Sequence, residues 1–127
     1  MKKILLDSSV VVDFIRVNNK ASTIFQKLLN LGYQLCISVM THTELYSGKS
    51  VWESPVARKE LEFILSGLQI FKLDEKVSKK AGNLKATYHI EIADAIIAAT
   101  AIAYKLELAT LNTKDFAKIK GLKLASV

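Results

Sequence analysis

Four carboxylates in this sequence stand where a chain of alternating strands and helices would gather reactive groups. They are Asp7, Glu44, Asp94 and Asp115. Carboxylate oxygens are the ligands that Mg²⁺ and Mn²⁺ prefer, whereas one cysteine and two histidines offer little to softer metals. A divalent ion held by such acids activates water and clamps phosphate oxygens during in-line attack. Taken together, the four acids predict a metal site for phosphodiester hydrolysis.

Asp94 is the most unusual of the four, because it lies in the apolar stretch ADAIIAATAIA at residues 93–103. Its neighbours three and four residues away are mostly apolar: Ile90, Glu91, Ile97 and Ala98. An unpaired buried charge costs several kcal/mol, so Asp94 must meet a cation, several donors or a metal, or else be protonated. A divalent ion is a suitable partner because it neutralises several carboxylates at once.

The other three acids also have structural interpretations, which the sequence alone leaves open. Asp7 is placed to cap the helix that follows it, although Ser8 or Ser9 can supply that cap instead. Glu44 fits a capping box that begins at Thr41. Asp115 can be a first-turn acid beside a capping Asn or Thr at positions 112 and 113.

Apolar runs, caps and turn residues predict the elements that position these acids. Strands are predicted over residues 3–6, 34–39, 68–73, 106–111 and 122–124. Helices are predicted after a serine cap at residues 8–9 and over residues 20–31, 41–48, 55–67, 74–88, 90–104 and 113–119. This alternation predicts an α/β fold, with a parallel sheet of four to five strands between helices. Ligands bind at the carboxyl ends of such strands, and Asp7 follows one directly.

Length and composition predict one globular domain, residues 1–127, since half of the residues are apolar and about a quarter are charged. The only cysteine, Cys36, lies in an apolar segment and is expected to be buried, with no internal disulfide. No apolar run reaches the roughly 18 residues of a membrane span, and the first one is too short for a signal peptide. A cytoplasmic location is therefore expected.

The charge balance favours a polyanionic partner such as nucleic acid. Eighteen Lys and Arg residues face 12 Asp and Glu residues, which gives a net charge of +6. If the four site acids are set apart, only eight acids oppose the 18 cations. The sequence thus predicts a basic surface around an acidic centre, in which cations hold a phosphate backbone near the metal.

Four segments occur in the order seen in PIN domains: LLDSSVVVDFI, ISVMTHTELYSG, IADAIIAATA and LATLNTKDF. The chain resembles the VapC-type toxins of type II toxin–antitoxin pairs, and the match runs from Asp7 to Phe116. The resemblance implies a single PIN-like domain with a three-layer α/β/α sandwich and a central parallel sheet. It also implies a Mg²⁺-dependent endoribonuclease, with Mn²⁺ as a possible substitute, a cognate antitoxin as partner, and a homodimer.

The resemblance also implies a role for each acid. Asp7 and Asp94 correspond to the principal metal ligands, Glu44 to a ligand held directly or through water, and Asp115 to a water-mediated ligand or an aid to water activation. Asn112 stands where many relatives have an acid, which argues against a richer second-metal site.

Substrate contacts are expected from Ser8, Ser9 and Asn112. Two other side chains are set outside the site. Asp13 is about 600° around a helix from Asp7 at 100° per residue, so it is expected to point elsewhere. Trp52 could pack in the core, stack on RNA or contact the antitoxin, and burial in the core or an interface is the preferred interpretation.

Three alternative functions stay open. The chain could be a stand-alone RNA-processing nuclease or a DNA nuclease. Cleavage of RNA and DNA substrates compared with the same ion distinguishes these two. It could also be a non-catalytic nucleic-acid-binding module with the same fold, which binds without metal-dependent turnover. A nucleotide-binding protein of the Rossmann type is disfavoured, because Asp7-Ser8-Ser9 is not a glycine-rich phosphate loop.

Overall fold

The computed structural model describes residues 1–126 and contains a parallel sheet flanked by helices. The strands are β1 (Lys3–Leu6), β2 (Gln34–Ser38), β3 (Gln69–Phe71) and β4 (Leu108–Ala109). The helices are α1 (Ser8–Arg16), α2 (Ile24–Asn30), α3 (Val39–Leu45), α4 (Lys49–Glu53), α5 (Pro55–Ser66), α6 (Glu75–Tyr88), α7 (Ile92–Ala103) and α8 (Thr113–Ala117). One 3₁₀ turn, Lys20–Ser22, precedes α2.

The four strands are hydrogen-bonded in the order β3-β2-β1-β4, and every neighbouring pair is parallel. The chain builds outward from β1 to β3 and then crosses back to place β4 on the other side of β1. The strand order therefore reverses between β1 and β4, which is where open parallel sheets bind ligands. The predicted strand at residues 122–124 contributes a single bridge between Leu124 and Leu108 rather than a fifth strand.

Both faces of the sheet are covered, because successive β1 side chains point to opposite sides. Leu5 packs into a core with the inner faces of α6 and α7, whereas Ile4 and Leu6 pack into a second core with α1, α2 and α5. All three side chains are fully buried. The three-layer α/β/α sandwich predicted from the sequence is confirmed.

Two predicted helix caps are wrong. The N-cap position of α1 is Asp7 rather than a serine, and no side chain accepts a capping hydrogen bond there. Helix α3 begins at Val39, where the Ser38 hydroxyl accepts the Thr41 backbone N–H at 3.1 Å, so the predicted capping box starting at Thr41 does not form. The true cap lies three residues earlier because β2 leads directly into the helix.

Further differences concern the helical segments. The predicted helix at residues 20–31 is divided by Thr23, whose hydroxyl caps α2, and α4 was not predicted. Trp52 on α4 is 62% exposed, so the expectation that it belongs to the core of this chain is wrong. Its indole N–H donates to the Tyr46 carbonyl at 2.7 Å, which satisfies its polar atom at the surface.

Other expectations agree with the structure. Cys36 is a free, buried thiol, and burial raises its pKa. Asp74 caps α6 by accepting the Val77 N–H at 2.9 Å, as predicted. Among the helices within residues 1–126, none is long and apolar enough to cross a bilayer.

Candidate active site

Asp7 lies at the carboxyl end of β1, where the strand order reverses, and only 3% of it is exposed. Its backbone N–H donates to the Ala109 carbonyl at 2.9 Å, which extends the pairing of β1 with β4 by one residue. Its carboxylate Oδ2 accepts hydrogen bonds from the Ser9 and Thr110 hydroxyls, each at 2.8 Å. These two donors turn the carboxylate away from the helix cap and hold it in one orientation.

The same two hydroxyls connect Asp7 to the turn that follows β4. The Leu111 backbone N–H donates to Ser9 Oγ at 3.1 Å, and the Asn112 N–H donates to Thr110 Oγ1 at 2.9 Å. Residues more than one hundred positions apart are thereby joined in one network. Thr110 was not predicted as a site residue, although a polar residue directly after the buried Leu-Ala of β4 is a usable signal.

Glu44 lies in the last turn of α3 and is half-buried. Its Oε1 accepts a hydrogen bond from the Ser8 hydroxyl at 2.8 Å, so the two helices that follow β1 and β2 are joined at this point. Ser8 thus holds one site acid and Ser9 holds another. Neither serine caps α1. Of the two roles that the sequence left open for these serines, the structure shows contact with the site acids and not helix capping.

Asp94 lies in the first turn of α7 and is half-buried. Burial raises the pKa of this carboxyl to about 6, and the negative charges of Asp7, Asp115, Glu44 and Glu91 add to the effect, in that order. The structure therefore brings all four predicted acids into electrostatic range of one another. Within residues 1–126 the only ion pair joins Lys2 to Glu107, so no salt bridge compensates this negative charge.

Asp115 and Asn112 form the exposed side of the cluster. Asp115 lies in the first turn of α8, and its backbone N–H donates to the Asn112 carbonyl at 3.1 Å. Asn112 occupies the N-cap position without a side-chain cap. The capping role considered for Asn112 is thus absent, and both polar side chains face solvent beside the acids.

The donor chemistry of this cluster fits a hydrated Mg²⁺ or Mn²⁺ ion. Across residues 1–126, no three His, Cys, Asp or Glu side chains are gathered closely enough to enclose a metal on their own. Mg²⁺ needs no such cage, because it keeps several waters and binds through one or two carboxylates together with substrate phosphates. Hard carboxylate oxygens that repel one another and lack a cationic partner suit that kind of ion.

The raised pKa of Asp94 predicts a stability effect that is measurable without metal. A carboxyl whose pKa is higher in the folded state opposes folding once it is charged, so the contribution of Asp94 to stability falls as pH rises from about 4 through 6. We expect Asp94→Asn to stabilise the metal-free protein at pH 8 by about 1–2 kcal/mol, after reduction for solvent screening. Urea unfolding in EDTA measures this difference, which should nearly vanish at pH 4. A variant less stable than wild type at pH 8 would contradict the electrostatic picture.

Comparisons with known proteins agree with this fold. The family model described as "PIN domain" matches residues 4–122. The protein named Ribonuclease VapC19 from Mycobacterium tuberculosis is 30% identical over 124 residues, which are 94% of this chain and 96% of that protein. A chain of a toxin–antitoxin complex from Klebsiella pneumoniae has a TM-score of 0.77 and 30% identity, with 94% of each chain covered. A chain of VapBC2 from Rickettsia felis, bound to a DNA fragment from its promoter, has a TM-score of 0.78 and 26% identity, with 97% of each chain covered. This chain belongs to the PIN-domain family.

Proposed function

We propose that this chain is a Mg²⁺-dependent endoribonuclease that hydrolyses RNA phosphodiester bonds and acts as the toxin of a toxin–antitoxin pair. The observation that carries the proposal is the gathering of Asp7, Glu44, Asp94 and Asp115 at one end of the sheet, where burial and then the neighbouring acids raise the pKa of Asp94 and no salt bridge within residues 1–126 offsets their charge. Unpaired buried charge is costly, and a divalent cation would compensate several of these carboxylates at once.

Each acid has a distinct part in the proposed site. Asp7 and Asp94 would be the principal ligands of Mg²⁺, for which Mn²⁺ can substitute. Glu44 would bind the ion directly or through water, and Asp115 would act through water at the exposed side. When bound, the ion neutralises charge on the phosphate and makes water a better nucleophile.

The chain's hydroxyls fix the acids before substrate arrives. Ser9 and Thr110 hold the Asp7 carboxylate, and Ser8 holds Glu44. A ligand whose rotamer is fixed in advance loses little conformational entropy when it binds, and it keeps the geometry that in-line attack requires. Ser8 and Ser9 contact site acids, and the amide of Asn112 is exposed beside Asp115, so these three side chains would contact the RNA backbone.

The substrate and partner are inferred from the relatives and from charge. One relative is named a ribonuclease, and a similar solved chain belongs to a toxin–antitoxin complex, which supports RNA as substrate and a cognate antitoxin as partner. The net charge of +6 suits an RNA backbone. Single-stranded or looped RNA is favoured because its exposed backbone is accessible to a metal site that opens to solvent at Asp115. Homodimer formation and a cytoplasmic location complete the proposal.

The test is cleavage of matched RNA and DNA strands by the purified protein. We expect Mg²⁺ or Mn²⁺ to support internal cleavage of single-stranded RNA, EDTA to abolish it, and DNA of the same sequence to resist. Co-expression with the product of an adjacent small reading frame should suppress the activity. Preferred cleavage of DNA would favour the DNA nuclease alternative. Binding of RNA with no metal-dependent turnover would favour a non-catalytic module.

A further inference from the structure

Two adjoining grooves lie at the end of the sheet opposite the acidic cluster, where β1 and β4 begin. The first has a volume of about 520 Å³ and the second about 550 Å³, and they share Ile102 and Lys105 at the end of α7. Together they are lined by the residues we call the lysine surface: Lys2, Lys3, Lys76, Lys79, Lys80, Lys105 and Lys123. All but Lys80 are exposed, and Lys80 is half-exposed.

The lysine surface is separated from the acids by the length of the sheet and of α7. Lys3 begins β1 and Asp7 follows its end, a span of about 13 Å at 3.3 Å per residue. Asp94 lies in the first turn of α7 and Lys105 just beyond its last turn, a span of about 16 Å at 1.5 Å per residue. The surface is therefore distinct from the candidate active site, yet close enough for one polymer to contact both.

The lysine surface holds the whole net charge of the protein. Seven lysines and one glutamate, Glu107, line the two grooves, which gives a formal charge of +6, equal to that of the entire chain. The remaining eleven cations and eleven acids of the sequence balance. Glu107 is paired with Lys2 at 3.8 Å, so the other six lysines face solvent without an acid in salt-bridge contact within residues 1–126. The lysine surface is thus the strongest local concentration of positive charge that these grooves show, with seven lysines against one acid.

We propose that the lysine surface binds the backbone of RNA outside the bond that is cut. Lysine ammonium groups are mobile point charges that bind phosphates without reading sequence, and seven on adjoining grooves match a polymer with regularly spaced charges. Few large exposed apolar side chains accompany these lysines: Met1 and Tyr104 adjoin them in the sequence, and Leu31 shares a neighbouring groove with Lys2. A surface with more lysines than exposed apolar side chains favours a polyanion over insertion into a lipid surface. That the polymer is RNA rests on the proposed function.

The separation of the two sites sets the length of RNA involved. A stacked strand carries one phosphate per roughly 3.4 Å, so the direct separation of about 15 Å through the buried sheet sets a lower limit of about four or five nucleotides, and an RNA that runs around the surface needs more. The lysine surface would therefore hold a flank of the substrate and leave the reacting phosphate to the acids. Loss of its charge should raise KM for long RNA and leave kcat unchanged, because no lysine of the surface lies near the acids.

The test compares two variants that each lose four positive charges from exposed side chains. The groove variant carries Lys76→Gln, Lys79→Gln, Lys105→Gln and Lys123→Gln, and the control carries Lys27→Gln, Lys49→Gln, Lys59→Gln and Lys72→Gln. Binding of a fluorescein-labelled single-stranded RNA of roughly 20 nucleotides is followed by anisotropy in EDTA over a range of salt concentrations. Since EDTA prevents metal-dependent cleavage, the result does not depend on whether the protein cuts RNA.

We expect the groove variant to bind this RNA about 10- to 100-fold more weakly than wild type at low salt, and the control to stay within about threefold. The slope of log affinity against log salt should be shallower by about 3 in the groove variant. Each of the four lost phosphate contacts accounts for about 0.7 of that change. Equal losses in the two variants, or an unchanged slope in the groove variant, would overturn the proposal. So would equally tight, equally lysine-dependent binding of polyglutamate or of phosphatidylserine vesicles.

Discussion

Substitution Asp94→Asn is expected to lower the rate of Mg²⁺-dependent RNA cleavage by about 100-fold or more, the scale of loss when a charged group is removed from a metal-assisted centre. The amide keeps the size of the carboxylate but removes a negative charge from the point where the charges of Asp7, Asp115 and Glu44 converge. Initial rates on one labelled RNA, measured with saturating Mg²⁺, test the prediction. Urea unfolding of the same variant is the control: stability at or above that of wild type would exclude unfolding as the cause of lost activity.

Glu91→Gln is the matched control for this change. Glu91 is an exposed acid at the start of the same helix, and its charge is the smallest contributor to the raised pKa of Asp94. Since Glu91 is not one of the four acids assigned to the ion, its loss should leave the cleavage rate within about threefold of wild type. Undiminished cleavage by Asp94→Asn would eliminate the proposed mechanism. Equal losses in both variants would mean that Asp94 acts only through a general effect of negative charge.

Asp7→Asn is expected to cause a second loss of about 100-fold or more in cleavage, for a different local reason. Asp7 is buried and already holds two hydroxyl donors, so its carboxylate is presented in one orientation. An asparagine oxygen can still accept from Ser9 and Thr110, which preserves the fold of the strand end. The substitution therefore removes the charge and the second oxygen that the ion needs.

Asp13→Asn provides the control for Asp7→Asn. Asp13 is half-buried on α1, six residues further along the chain, and its charge is not among those that raise the pKa of Asp94. The sequence predicts that Asp13 lies outside the site, so Asp13→Asn should retain near-wild-type cleavage. A large loss there, with full activity in Asp7→Asn, would place the reactive centre elsewhere on α1.

Much of the fold could be predicted from local sequence because the decisive signals are local. The apolar run at residues 3–6 ends at Asp7, and Asp74 and Ser54 cap α6 and α5 as their side chains suggest. The wrong predictions arise where two rules compete. Thr41 and Glu44 match a capping box, but Ser38 at the end of β2 caps the helix first. Trp52 has the size of a core residue, yet its indole N–H is satisfied at the surface.

The acids of the candidate site could be predicted because their chemistry conflicts with their surroundings. An aspartate in an apolar helix needs a partner, so the position of Asp94 in the sequence indicated a functional site. The residues that hold the acids could not be predicted, since their contacts are non-local: Ser8 reaches Glu44 across 36 positions and Thr110 reaches Asp7 across 103. Only the parallel pairing of β1 with β4 brings Thr110 beside Asp7.

The most direct test of whether distant carboxylates share one cation is a calorimetric titration of the RNA-free protein with Mn²⁺. Wild type and Asp13→Asn should each bind the ion with the same stoichiometry, and Asp7→Asn and Asp94→Asn should each weaken that binding by about 10-fold or more. Binding that survives in either of those two variants at wild-type strength would mean that the two side chains do not hold a common ion.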